Sequence, residues 1–195
     1  FPQEEQLIKA VFAQLTPPLC SSQTVFLLAG LLTIPVFIYI VWLIPRASIR
    51  FLIWLTSLLI YRVKILGRHN LPRVGGALLV ANHVSWLDGF LIQILTSRNV
   101  RMIAWSGNNT NRVINWLVKV FGVILIDPGR PKQIVAALRT AREALQNGEL
   151  VCIFPEGGIS RTGQVQAFRP GLMKILEGTN APVVPVYLDE LWGSI

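Results

Sequence analysis

Residues 77–88 read ALLVANHVSWLD, a short apolar run that ends in Asn82 and His83, with an acid, Asp88, five residues after the histidine. Bounded by Gly75-Gly76 and a polar break, the run predicts a buried strand. The segment Trp86 to Thr96 that follows predicts a helix. His83 then falls in the turn at the carboxyl end of a strand, where open α/β sheets place their ligand sites. On one uninterrupted helix a spacing of five would set His83 and Asp88 roughly 140° apart. Their side chains can meet only if the turn separates them.

The same alternation continues along the chain. Val63–Leu66, Val100–Ala104, Val123–Ile126, Leu150–Phe154 and Val183–Leu188 read as strands. Asn111–Val120, the stretch from Pro131 to Asn147-Gly148, and a short segment after Pro170-Gly171 read as helices. In the second of these, Ile134, Leu138, Ala141 and Leu145 recur on one face, Pro131 suits a first helical position, and Asn147-Gly148 stops the helix. Short apolar strands alternating with amphipathic helices indicate an α/β fold, a mostly parallel or mixed sheet flanked by helices.

The first third of the chain differs in kind. Residues 1–23 form a mixed flank, with Pro17-Pro18 breaking any helix that starts near Gln6. Residues 24–45 contain Val25–Ile44, which has no charged residue and at 1.5 Å per residue spans roughly 30 Å, enough to cross a hydrocarbon core. Residues 46–62 hold Phe51–Tyr61, too short to cross and bracketed by cations, as expected of a helix lying in the interface; a core helix beneath the sheet is the alternative. The α/β domain is then 63–195.

Composition narrows the partners. The chain of 195 residues is 52% hydrophobic and 14% charged, with a net charge of +8. Six basic residues and no acid lie between Arg46 and Arg73. Beside apolar segments that stretch favours a membrane surface over nucleic acid. Cations after the apolar span rather than before it place the rest of the chain in the cytoplasm, by the positive-inside rule. Cys20 and Cys152 suit packing, and with two histidines in the chain no metal centre is expected. The chain opens on Phe1 and stops at Ile195 in mid-phrase, as a piece of a longer protein would.

A histidine with an acid five residues on is weak by itself, since chance supplies it about one time in ten for two histidines. Position and company strengthen it. FPEGGISRTG, residues 154–163, is a second strand-end loop, with Glu156, glycines for close approach of a ligand, and Arg161, which can hold a phosphate. A third offers Asp127 and Arg130. Together these support general-base catalysis on an anionic substrate. A neutral His83 takes the proton of an attacking hydroxyl, Asp88 fixes its tautomer, and backbone N–H groups near Gly157 are candidate oxyanion donors. Ser85 as a nucleophile is disfavoured because alternate positions in a turn point apart. His69 reads as a surface residue.

These blocks resemble the PlsC-type glycerolipid acyltransferase family. Its His-x4-Asp motif is matched by His83 and Asp88. A glycine, an apolar strand and an Asp–Arg ending are matched loosely by Gly122 to Arg130, with Pro128 and Gly129 intervening. Phe154, Pro155, Glu156 and Gly157 match a third block, with Arg161 later than the usual arginine. Phe168, Arg169 and Gly171 match the Phe-basic-x-Gly element, and Val184, Pro185 and Val186 a fourth block. The wording of FPEGGISRTG is most similar to the acyltransferase part of bacterial fusion proteins that join a lysophospholipid transporter, a 2-acylglycerophosphoethanolamine acyltransferase and an acyl-acyl carrier protein synthetase.

The resemblance implies an acyltransferase that moves a fatty acyl group from acyl carrier protein or CoA to a lysophospholipid hydroxyl, without a metal or other cofactor. His83 and Asp88 would be catalytic; Glu156, Gly157, Arg161 and Arg130 would bind the acceptor and its phosphate. It further implies a bacterial inner membrane, a transporter upstream and a synthetase downstream. Three readings stay open: 2-acylglycerophosphoethanolamine as the acceptor, 1-acylglycerol-3-phosphate as the acceptor, or a non-catalytic lipid-docking part of a transporter.

Overall fold

The structure, a computed structural model, describes residues 2–15, 21–108 and 111–191. Pro17-Pro18, Cys20 and residues 192–195 lie outside the described residues. The chain divides into two compact units, Phe1–Ser48 and Ile49–Ile195.

The first unit holds α1 (Pro2–Leu15) and α2 (Ser22–Leu43). Ser21 caps α2 through its side chain, which accepts from the Thr24 amide. Among the described residues α2 is the one helix long and apolar enough to cross a membrane: 22 residues, mean hydropathy 2.4, none buried. At 1.5 Å per residue it is about 33 Å long.

Pro45 opens α3 (Pro45–Ile60), which begins before the expected Phe51 because proline is well suited to a first helical turn. Beyond Ser48 this helix belongs to the second unit. Arg50 donates to the carbonyls of Ser97 and Arg98, at 3.1 and 2.7 Å. Phe51, Leu52, Trp54, Leu55, Leu58 and Leu59 are exposed.

The second unit is built on a sheet of β1 (Ala77–Ala81), β2 (Val100–Trp105), β3 (Ile124–Ile126), β4 (Leu150–Ile153) and β5 (Val183–Val186). Their spatial order is β3-β2-β4-β1-β5, and every pairing is parallel. The sheet is therefore parallel throughout. Alternate residues serve opposite faces. Leu78 and Val80 of β1, with Val151 and Ile153 of β4, pack beneath α6 (Pro131–Gln146) and α7 (Gly171–Leu176), against Leu138, Ala141, Leu145 and Ile175. Ala77, Leu79, Ala81 and Cys152 face the other side, against Ile92 of α4 (Asp88–Ile92) and Met102. Apolar residues on both faces explain why these strands read as continuous runs. The α5 helix (Arg112–Phe121) is capped by Asn111, whose side chain accepts from the Val113 amide, and ends on Gly122 in the left-handed region.

Two expectations are corrected. Val63–Leu66 is not a strand. Val63 and Ile65 are half-buried and Lys64 and Leu66 exposed, the alternation that suggested one. Val63 instead packs by its side chain against a cluster containing Val84, Leu91 and Leu191, with no ladder to a sheet edge. The helix expected over Trp86–Thr96 is only Asp88–Ile92. The Gln93 side chain donates to the Val100 carbonyl and accepts from its amide, which bends the chain into β2 before another helical turn can form.

Candidate active site

Because β1 and β4 are neighbours, with Val80 opposite Ile153, their carboxyl ends deliver Asn82–Leu87 and Phe154–Pro170 side by side. Asn82 ties in the third neighbour. Its amide nitrogen donates to the Leu188 carbonyl at 2.9 Å and its oxygen accepts from the Leu188 amide at 2.7 Å. The loops after β4, β1 and β5 thus share one edge.

On that edge His83 Nδ1 lies 2.8 Å from Asp88 Oδ2. The same oxygen accepts from the amides of Val84 and Ser85, at 2.7 and 3.0 Å. Three convergent donors hold one carboxylate oxygen, so the acid is fixed by the turn that also positions the histidine. Oδ1 is buried without a hydrogen-bond partner among the described residues. The Asp88 side chain is 0% exposed and that of His83 20%. Against an ionised Asp88, Nδ1 carries the ring proton, and Nε2 keeps a lone pair. Phe154 stacks on the imidazole, centroids 4.1 Å apart and planes 16° apart, and limits its rotation. The break that the spacing requires is present.

Glu156 is placed otherwise than a phosphate-binding residue would be. It is buried, and its two carboxylate oxygens accept from the backbone amides of His83 and Gln166, each at 3.0 Å. The carboxylate joins the two strand-end loops; turned to an anion it would repel it. The Ser160 amide donates to the His83 carbonyl at 2.7 Å, a second stitch between the same loops.

The Gly157 amide donates to the Phe154 carbonyl within the turn, so it is not an oxyanion donor; this corrects the expectation at that residue. Gly157 has φ +75°, and a Cβ there would lie 2.4 Å from Arg169 Nε. Only glycine allows this approach. Arg169 donates through its backbone N–H to the Pro155 carbonyl at 2.8 Å and through Nε to the Glu156 carbonyl at 3.3 Å. Its side chain is otherwise exposed on the loop after β4. Sequence reasoning did not assign Arg169 to the site, although the Phe-basic-x-Gly element contains it.

Arg161 is exposed on the loop after β4. Arg130 sits at the amino end of α6 with its side chain 69% exposed and an ion pair to Asp127 at 3.2 Å. It follows β3, three places from β1 in the sheet, or about 14 Å at the usual strand spacing. Ser85 is buried and its hydroxyl accepts from the Leu87 amide at 3.1 Å. Cys152 is buried behind the site, and burial, with the Asp88 charge second, pushes its thiol well above the usual range. No cluster of metal-ligating side chains occurs among the described residues.

A family model described as Acyltransferase matches residues 62–189. A chloroplastic 1-acyl-sn-glycerol-3-phosphate acyltransferase of Arabidopsis thaliana is 31% identical over 129 residues, 66% of this chain and 36% of that protein. A 1-acyl-sn-glycerol-3-phosphate acyltransferase of Borreliella burgdorferi is 24% identical over 147 residues, 75% of this chain and 58% of that protein. The crystal structure of PlsC, the 1-acyl-sn-glycerophosphate acyltransferase of Thermotoga maritima, superposes with a TM-score of 0.54 at 30% identity, covering 62% of this chain and 47% of that one. The chain thus spans between about a third and three-fifths of the length of these curated relatives. With the α/β architecture and the His83–Asp88 turn in place, the match over residues 62–189 assigns the chain to the acyltransferase family.

Proposed function

We propose that the chain transfers a fatty acyl group from a thioester, acyl carrier protein or CoA, to the free hydroxyl of a lysophospholipid. The observation that carries this reading is the 2.8 Å contact of His83 Nδ1 with a buried Asp88 that also accepts two backbone amides. His83 Nε2 removes the hydroxyl proton as the oxygen attacks the thioester carbonyl. The C–O bond forms, the C–S bond breaks, and the departing thiolate takes the proton from the imidazolium. Asp88 positions the ring and stabilises its charged form. The Gly158 amide, next in the turn after Gly157, is a candidate donor to the oxyanion. Arg161 and Arg169, both on the loop after β4, are the candidate arginines for the acceptor's phosphate.

The names of the relatives support 1-acylglycerol-3-phosphate as acceptor. The wording of FPEGGISRTG supports 2-acylglycerophosphoethanolamine, and with it a setting between a transporter and an acyl-acyl carrier protein synthetase. Helix α2 and the cations after it support a bacterial inner membrane with the site on its cytoplasmic side. No cofactor enters the reaction. The test is acyl transfer by the protein in mixed micelles, from labelled acyl carrier protein or acyl-CoA, to a panel of lysolipids with and without the ethanolamine head group. Preferred turnover of the phosphate monoester or of the ethanolamine lipid selects the acceptor. Lipid binding without transfer, unchanged in Asp88→Asn, would refute the catalytic reading.

A further inference from the structure

The opposite edge of the sheet carries a second polar feature. A groove of about 490 Å³ lies at the amino ends of β1 and β2, lined among others by Arg68, His69, Arg73 and Arg98. In a parallel sheet this edge is separated from His83 by the length of β1, five residues or about 16 Å.

Among the described residues no acid lines the groove. Between Glu5 and Asp88 the chain has no acid at all. Arg98 donates to the carbonyls of Pro72 and Gly75, at 2.8 and 2.7 Å, and to that of Gly148. Arg50 donates to the carbonyls of Ser97 and Arg98. Both guanidiniums donate to neutral carbonyl oxygens, which leave their charges uncancelled. Burial and the nearby charge of Arg68 both lower the Arg50 pKa, as expected where cations collect without a counterion. The acid at this edge, Glu149, is already paired with Arg101 at 3.2 Å. Arg68, His69 and Arg73 are exposed.

The surroundings are apolar. Leu66 and Val74, just outside Arg68 and Arg73 in the chain, are 92% and 83% exposed. Arg50 leads directly into the exposed Phe51, Leu52 and Trp54 of α3. A water-soluble anion needs the cations and not these side chains. A lipid head group needs both, a phosphate contact and apolar groups that enter the acyl boundary beside it.

We propose that this groove binds the phosphate of an anionic membrane phospholipid through Arg68 and Arg73, with Arg98 and Arg50 supplying the fixed charge behind them. It is a docking site apart from the acceptor site, and it does not rest on the catalytic reading.

The test is native mass spectrometry of the full chain released from neutral-detergent micelles containing phosphatidylglycerol and phosphatidylcholine of identical chains. Wild type should retain phosphatidylglycerol preferentially. The preference should fall by roughly fivefold for each arginine removed in Arg68→Gln and Arg73→Gln, and survive in the corresponding lysine variants. Both side chains are exposed, so the circular dichroism melt of the double variant should match wild type and show that the loss is not unfolding. Equal retention of the two lipids, or a preference untouched by the double glutamine variant, overturns the proposal. So does stabilisation by inorganic phosphate alone equal to that by phosphatidylglycerol, which would mark a small-anion site. Displacement of phosphatidylglycerol by acyl carrier protein would reassign the groove to an acidic protein partner and overturn it as well.

Discussion

Two strand-end loops on the same edge of the sheet each carry an acid and a base a few residues apart, and they differ in burial and in how many backbone amides the acid accepts, two for Asp88 and one for Asp127. After β1, His83 and Asp88 meet at 2.8 Å with the acid fully buried and its shared oxygen accepting two further amides. After β3, Asp127 and Arg130 meet at 3.2 Å with the arginine 69% exposed. An exposed pair of the second kind contributes about 0–1 kcal/mol and is free to let go. The first is over-determined: moving the acid strands two buried amides. What separates a rigid constellation from a surface ion pair is thus burial and backbone satisfaction, which residue types and spacing only hint at.

The largest effect tests that contrast directly. His83→Ala should reduce acyl transfer by about 10²–10⁴-fold while leaving the circular dichroism melt near wild type, because the side chain is partly exposed and contributes little core. Asp88→Asn should lose activity and also stability. Its amide nitrogen must face either the Val84 and Ser85 amides or the partnerless place of Oδ1. The stability loss should be about 1–3 kcal/mol by denaturant titration. An Asp88→Asn protein as stable as wild type would show that the turn does not depend on the carboxylate.

Glu156→Gln comes next. Each carboxylate oxygen accepts one backbone amide, from His83 and from Gln166. Glutamine offers one acceptor and turns an N–H₂ group toward the other donor. Unfolding should shift by about 1–3 kcal/mol. Turnover should fall through displacement of the His83 loop, with acceptor KM changing less than kcat. A selective rise in acceptor KM at unchanged stability would instead return Glu156 to the acceptor site, where the sequence placed it.

Gly157→Ala should cost stability as much as Glu156→Gln but turnover less. The residue sits at φ +75° and its new Cβ would press on Arg169 Nε. Left-handed backbone in a non-glycine residue costs about 1–3 kcal/mol. The guanidinium must also leave the Glu156 carbonyl. If Arg169 meets the acceptor's anion, acceptor KM rises more than kcat falls, and Arg169→Lys partly restores it in the wild-type background relative to Arg169→Ala.

The parts of this site that were legible in the sequence are those determined locally. The run Ala77–Ala81 and the polar break after it locate His83, and the spacing to Asp88 demands a turn that is there. Helix α6 follows from its apolar periodicity, Pro131 and Asn147-Gly148. What was not legible depends on partners distant in sequence. Glu156 looks like any loop acid until the His83 amide, 73 residues away, donates to it. Arg169 packs on the turn after β4 only because Gly157, twelve residues before it, has no Cβ. Helix α4 stops where the Gln93 side chain captures Val100, a competition that apolar periodicity does not register. Val63–Leu66 has the alternation of a strand, and its half-buried side chains pack without joining a sheet edge.

The smallest expected effect is the sharpest on the comparison itself. Arg130→Ala removes an exposed ion pair with Asp127 about three strand spacings from β1. Stability should change by less than about 0.5 kcal/mol, as at other exposed surface positions. If the anion sits between the loops after β1 and β4, acceptor KM should stay within about twofold, because at roughly 14 Å an exposed charge acts through screened solvent. A tenfold rise in acceptor KM at unchanged kcat would mean that the acceptor reaches across β4 and β2 to the third loop. The exposed pair would then be the more important of the two for binding, and the buried one for chemistry alone.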